Sequence, residues 1–176
     1  MTTTGRIHNF GAGPAVLPLE VVEECRKSLP NLDNSGFGLI EISHRSKTFQ
    51  NIVDSSMEKL RRILSIPEDY TVLYLQGGAS LQFYMSALNL LRENEKVDFL
   101  VTGVWSQKAL KEASRIGDAS ARWDDSENGF RSIPKNEDYS LRDDSLYLHY
   151  TSNNTLFGTQ FHHLPESNGK PRVLDA

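Results

Sequence analysis

Apolar positions along the chain follow two rhythms. From Ser46 onward, Phe49, Ile52, Val53, Met57, Leu60, Ile63 and Leu64 recur three and four residues apart. That spacing puts them on one stripe and predicts a long amphipathic helix through SKTFQNIVDSSMEKLRRILSI. Pro67 ends it, because a proline steers the preceding residue out of the helical region. Upstream, PLEVVEECRKSL carries Pro18 where a first helical residue belongs, acids early and bases late, as the helix dipole favours. The second rhythm is short apolar runs. TVLYL, KVDFLVTG, DSLYLHYTSN and KPRVLDA are predicted strands, and SLQFYMSALNLLREN and VWSQKALKEASRIG are predicted helices between them, the latter closed by Gly117 at the C-cap position. LIEISHRS is predicted as a short β-rich piece, and ARWDDSENGFRSIPKNEDY as a polar surface hairpin or loop that holds Trp123 in surface packing.

Strands alternating with helices predict right-handed β-α-β crossovers: an α/β fold of three layers, α/β/α, around a mainly parallel sheet. Residues 1–15, which include most of the glycine- and proline-rich NFGAGPAVLP (Asn9 to Pro18), are predicted as an N-terminal arm, and residues 16–176 as the first part of a larger domain. The last predicted strand stops at VLDA with no helix to cover it, which a buried parallel strand needs, so a longer protein is expected. Open sheets bind ligands at the carboxyl ends of their strands. That rule selects QGGAS after Leu75, TGVW after Val101, TSNNT after Tyr150, and Asp175.

Composition narrows the class. The chain has 176 residues, 38% of them hydrophobic, and a net charge of −4, which gives no general reason to expect nucleic acid or a membrane surface as partner. No run approaches the roughly 18 apolar residues of a spanning helix. The lone cysteine, Cys25, rules out an internal disulfide and fits a reduced, cytoplasmic setting. With no HExxH pattern, and with His162 and His163 adjacent and so on opposite faces of an extended segment, no metal site is expected.

Each selected strand end carries chemistry with a plainer alternative beside it. In GGAS, Gly77 and Gly78 let the backbone approach a ligand, and Ser80 adds a hydroxyl beside free helix amides, a phosphate cradle; the alternative is a strand-to-helix turn with a serine cap. Trp105 can cover a flat ring or serve as a packing residue. Thr155, in a turn rich in asparagine and serine, can present a hydroxyl to an oxyanion. Asp175 follows apolar Val173 and Leu174, where a carboxylate calls for a cation or a protonated ring nitrogen, unless it caps a following helix. His44 and Arg45 can bind a carboxylate or phosphate, or Arg45 can form a surface ion pair with Glu41 or Asp33.

Taken together, NFGAGPAVLP, EISHRSKTF, LYLQGGASLQF, VTGVWSQKALKEA, HYTSNNTLFGTQF and VLDA resemble, in the same order, the N-terminal half of the phosphoserine aminotransferase family. These are class V, fold-type I pyridoxal-phosphate enzymes, so the resemblance implies that the chain is part of a large cofactor-binding domain. It further implies transamination between L-glutamate and 3-phosphohydroxypyruvate, giving O-phospho-L-serine and 2-oxoglutarate, in a homodimer. For matching positions the resemblance implies that Ala79 and Ser80 hold the phosphate of pyridoxal 5'-phosphate and that Trp105 stacks on its ring. Thr155 would lie at the ring's 3-oxygen, Asp175 at the pyridine nitrogen, and Arg45 with His44 at the substrate. The chain departs from the family in having Ile40 where methionine is usual, and Ala79-Ser80 where some relatives have Gly-Arg. The family's Schiff-base lysine follows the aspartate and is expected beyond Ala176, so no catalytic nucleophile is assigned within the chain. Another class V enzyme and a non-catalytic fragment are the alternatives.

Overall fold

The computed structural model describes residues 5–176. The chain divides into two units, one up to Tyr74 and one from Leu75 to Ala176. The first holds helices α1 (Leu19–Ser28) and α2 (Lys47–Leu64). Ser46 is the N-cap of α2, its hydroxyl accepting a hydrogen bond from the Phe49 amide at 3.1 Å, and Ser65 in the left-handed conformation ends the helix two residues before Pro67. LIEISHRS is not β-structure. Leu39–Glu41 form one 3-10 turn, and the chain turns again where the Ser46 amide donates to the Ser43 carbonyl. The Glu41 carboxylate is spent on the Gly38 amide at 2.8 Å, which stabilises the turn over an extended alternative.

The second unit is built on four parallel strands in the order β2-β1-β3-β4: β1 (Lys96–Val101), β2 (Asp118–Asp124), β3 (Ser145–Thr151) and β4 (Arg172–Asp175). Helix α3 (Gly78–Leu90) and helix α4 (Val104–Ala113) cover one face. Phe83 and Ala87 of α3, and Ala109 and Ala113 of α4, pack on Val97, Phe99, Val101 and Tyr147. The small residues of α4 recur at helical spacing and let it lie close to the strands. The opposite face carries Leu100, Leu148 and Tyr150, packed with Phe161, Ile133, Tyr139 and Leu141 from irregular segments. The α/β class and the parallel sheet are as expected. No described helix is long and apolar enough to cross a membrane.

Three expectations about elements change. TVLYL pairs with no strand among the described residues, and Leu73, Tyr74 and Leu75 are exposed; an apolar run becomes a strand only where another offers it a hydrogen-bonding edge. Residues 118–124, read mostly as loop, form β2 at an edge of the sheet. Ala119 and Ala121 face the helices, then a bulge pairs Phe99 with Ala121 and Leu100 with Trp123. The extra residue, Arg122, turns Trp123 into the second core cluster instead of the surface. Gly117 is not the C-cap of α4, which ends at Ala113 with Ser114 following. It is glycine because a Cβ there would press on the Glu95 carbonyl at 2.7 Å.

This topology selects a location. The crossover through α4 carries the chain from β1 to β2 on one side, and β3 then pairs with β1 on the other. The strand order reverses between β1 and β3, and the crevice at such a point, outside the carboxyl ends, is where open α/β sheets bind ligands.

Candidate active site

The turn after β1 and the loop after β3 meet at that crevice. The Trp105 indole Nε1–H donates to Thr155 Oγ1 at 3.0 Å, joining residues 50 positions apart. An indole nitrogen can only donate, whereas a hydroxyl can accept and donate at once. Thr155 therefore keeps its own proton for a further acceptor. Lys108, one helical turn along α4, sets its Nζ 4.3 Å from the centre of the Trp105 ring, a cation-π contact that restrains the indole.

The turn carrying Trp105 is braced from below. Ser106 Oγ accepts from the amides of Thr102 at 2.9 Å and Gly103 at 3.0 Å, and donates to the Gly103 carbonyl at 2.9 Å. On β4, Asp175 pairs in register with Thr151 of β3, and Thr151 Oγ1 donates to Asp175 Oδ2 at 3.3 Å. Burial pushes the Asp175 carboxyl above the ordinary aspartate range, and the Thr151 hydrogen bond only partly offsets it. A nearby protonated nitrogen would reverse that cost.

Gly77 and Gly78 answer a specific backbone demand. Both have positive φ, +90° and +60°, and a side chain at 77 would collide with Leu81. Gly77 is the N-cap of α3 and no side chain caps the helix, so Ser80 is not the capping residue of the plainer alternative. The amides of the first turn, at Ala79 and Ser80, are the donors that a helix leaves unpaired within itself, and they carry the positive end of its dipole. Behind the site, on the sheet face that α3 covers, His149 is buried, stacked on Phe99 at 4.7 Å and edge-on to Phe83 at 6.3 Å. Burial lowers its pKa to about 4, so the ring is neutral at pH 7.

The structure thus brings Trp105 and Thr155 into direct contact and sets Asp175 at the carboxyl end of the neighbouring strand. Ala79 and Ser80 open the helix packed on the same sheet. His44 and Arg45 lie in the first unit, exposed just before α2, and among the described residues Arg45 forms no ion pair with Glu41 or Asp33. Sequence reasoning missed Thr151, Ser106 and Asn154, the supporting polar residues. Thr151 was findable as the polar residue ending an apolar strand; the contacts of Ser106 and Asn154 depend on turn geometry. No cluster of possible metal ligands occurs among the described residues.

Residues 7–168 match the aminotransferase class-V family, and the chain belongs to it. Relatives it aligns with include phosphoserine aminotransferases. That of Desulfotalea psychrophila is 45% identical over 162 residues, covering 92% of this chain and 45% of the relative. A phosphoserine aminotransferase structure described for radiation damage of its Schiff base superimposes with a TM-score of 0.92 at 40% identity, over 97% of this chain and 48% of its own. A pyridoxal-phosphate-bound phosphoserine aminotransferase from Trichomonas vaginalis matches with a TM-score of 0.86 at 34% identity, over 96% and 47%. The chain therefore spans about half the length of the relatives it matches.

Proposed function

We propose that this chain forms the cofactor-binding portion of a phosphoserine aminotransferase that uses pyridoxal 5'-phosphate to exchange an amino group between L-glutamate and 3-phosphohydroxypyruvate. The observation that carries the reading is the Trp105 to Thr155 hydrogen bond at the strand-order reversal, with Asp175 at the end of the next strand. The residues present fit the cofactor. A flat indole suits its ring, a hydroxyl with a free proton suits its ring oxygen, and a half-buried carboxylate suits its ring nitrogen. Uncapped amides at the start of α3, with the Ser80 hydroxyl, suit its phosphate.

When bound, the cofactor supplies an electron sink for the substrate carbanion. Asp175 would hold the ring nitrogen protonated by pairing with it, an arrangement that would also offset the cost of burying the carboxylate. Thr155 would donate to the ring oxygen while the indole N–H holds its Oγ1 in place. Trp105, steadied by Lys108, excludes water from one ring face. Arg45, with His44, offers a guanidinium fork to the substrate's carboxylate or phosphate. The nucleophilic lysine comes from sequence beyond residue 176, within the length that the relatives have in addition. In this reading residues 1–15 are an arm, of which the first four lie outside the described residues, residues 16–176 begin the large domain, and the working unit is a cytoplasmic homodimer to which His44 contributes across the interface. The exposed, unpaired Cys25 suits a reducing compartment. No nucleic acid or membrane partner is proposed.

Borohydride reduction of the complete polypeptide loaded with pyridoxal phosphate, followed by peptide mapping, tests this. The expected result is cofactor fixed to a lysine outside residues 1–176, together with a strong preference for a phosphorylated keto acid. Failure to take up cofactor overturns the reading. Uptake without that preference assigns another class V activity.

A further inference from the structure

Asn154 is buried at the carboxyl end of the sheet. Its amide nitrogen commits both protons, to Thr102 Oγ1 at 3.0 Å and to Thr159 Oγ1 at 3.0 Å. Its backbone closes its own loop, the amide donating to the Thr159 carbonyl at 2.9 Å and the carbonyl accepting from the Gly158 amide at 2.7 Å. The remaining atom, Oδ1, is buried with no hydrogen-bond partner among the described residues. It lies against the Cα of Gly103, where any Cβ would overlap it. Gly103 is extended, with φ of 176°, so glycine is required there by close approach and not by backbone conformation.

One side chain thus joins two segments. Thr102 and Gly103 belong to the turn that Ser106 braces and that presents Trp105. Thr159 and Gly158 belong to the loop that presents Thr155. Trp105 lies two residues beyond Gly103, Thr155 immediately follows Asn154, and their side chains meet at 3.0 Å. A buried acceptor left unpaired is costly. An apolar side chain of similar size would avoid that cost but would lose both hydroxyl contacts, and with them the registration of the two segments. Orphaned polar atoms of this kind accompany sites where geometry has been favoured over stability.

We propose that Asn154 is a positioning residue for the cofactor site. It holds the Trp105 turn against the Thr155 loop, which commits the indole N–H to Thr155 Oγ1 and leaves the threonine proton directed at the ligand. This role rests on reading the site as one for pyridoxal phosphate.

The test uses the complete polypeptide labelled with nitrogen-15 tryptophan. The Trp105 indole N–H resonance is assigned with Trp105→Phe, Trp123 is the internal control, and Thr155→Val marks the resonance without its acceptor. Asn154→Ala is expected to move the Trp105 resonance toward that position, speed its solvent exchange and leave Trp123 unmoved. Pyridoxal phosphate affinity should fall by roughly tenfold, the scale of one lost hydrogen bond. Thr102→Val and Thr159→Val, which each remove one arm and keep the shape, should show part of both effects; they decide the matter if the alanine variant does not fold. A Trp105 resonance that stays put in these variants overturns the clasp. A shifted resonance with cofactor affinity unchanged overturns its service to the site. If the wild-type protein binds no pyridoxal phosphate, the site reading itself fails and the positioning role falls with it; a wild type that binds normally while the variants bind equally well sinks the positioning role alone.

Discussion

The two ends of the same parallel sheet differ in how some of their buried polar groups are answered. At the amino end, Asp98 is fully buried and fully answered: Arg142 donates to it from Nε at 2.8 Å and from its backbone amide at 2.8 Å. The same guanidinium reaches Asp118 Oδ2 at 2.9 Å and the carbonyls of Val97 at 2.7 Å and Asp118 at 2.9 Å. One forked cation thereby ties β1, β2 and the entry to β3. At the carboxyl end, Asn154 Oδ1 has no partner among the described residues and the Asp175 carboxyl is held above its ordinary range by burial. The difference separates holding the fold together from keeping chemistry available. Strand ends that satisfy every donor have nothing left to offer a ligand, and those that do not are stabilised from elsewhere.

The largest expected effect of breaking this contrast lies at the amino end. Arg142→Ala leaves the Asp98 carboxylate buried without a counter-ion and should cost about 3–5 kcal/mol in denaturant unfolding. Arg142→Lys should recover only part of it, because an ammonium cannot serve the carboxylates and two carbonyls together. Equal stability of wild type and Arg142→Ala would show that the network is not a stabilising centre.

Next comes His149, beneath the site. Its folded pKa, about 4, lies below its ordinary value of 6.5. The unfolded chain therefore takes up a proton that the fold refuses. The stability it contributes is present above about pH 6.5 and falls as pH drops toward 4, by roughly 3 kcal/mol across that window. His149→Phe should flatten this part of the profile, as read by chemical denaturation at a series of pH values. A slope that persists in the variant would assign the titration elsewhere.

A smaller effect, of opposite sign, is expected at Asp175. Its carboxylate is partly desolvated and its pKa is raised, so near neutral pH the charged form is disfavoured by folding. Asp175→Asn should leave the thermal midpoint unchanged or raise it in the absence of cofactor. A clear drop would mean that Asp175 contributes to stability, as the amino-end carboxylates do. The smallest effect is expected at the Lys96 to Asp144 pair, 2.6 Å long and solvent-exposed. Lys96→Ala should not move a thermal melt measurably, since exposed pairs contribute little.

Much of this was legible from residues alone, and what was not has identifiable causes. The core strands around Phe99 and Leu148 stand out as apolar runs, because a parallel strand buried on both faces has no polar side to confuse the reading. Residues 118–124 alternate polar and apolar as DASARWD, but aspartate, alanine and serine are weak strand formers, so the pattern reads as loop. The candidate site residues at the carboxyl end, Trp105, Thr155 and Asp175, were selected because the strand-end rule needs only element boundaries. Their supports were not. That Asn154 reaches Thr102, and that Gly103 must be glycine for Asn154 to fit, are contacts across about 50 residues of sequence that no local pattern encodes.

The central claim, that the carboxyl end of the sheet is a pyridoxal-phosphate site and the amino end is not, is tested most directly by titrating the cofactor into the complete polypeptide and following bound-cofactor absorbance and Trp105 fluorescence. Saturable uptake by the wild type and by Arg142→Lys, with affinity at least tenfold weaker in Asp175→Asn, is the predicted result. Equal affinity in wild type and Asp175→Asn, or no uptake at all, would contradict it.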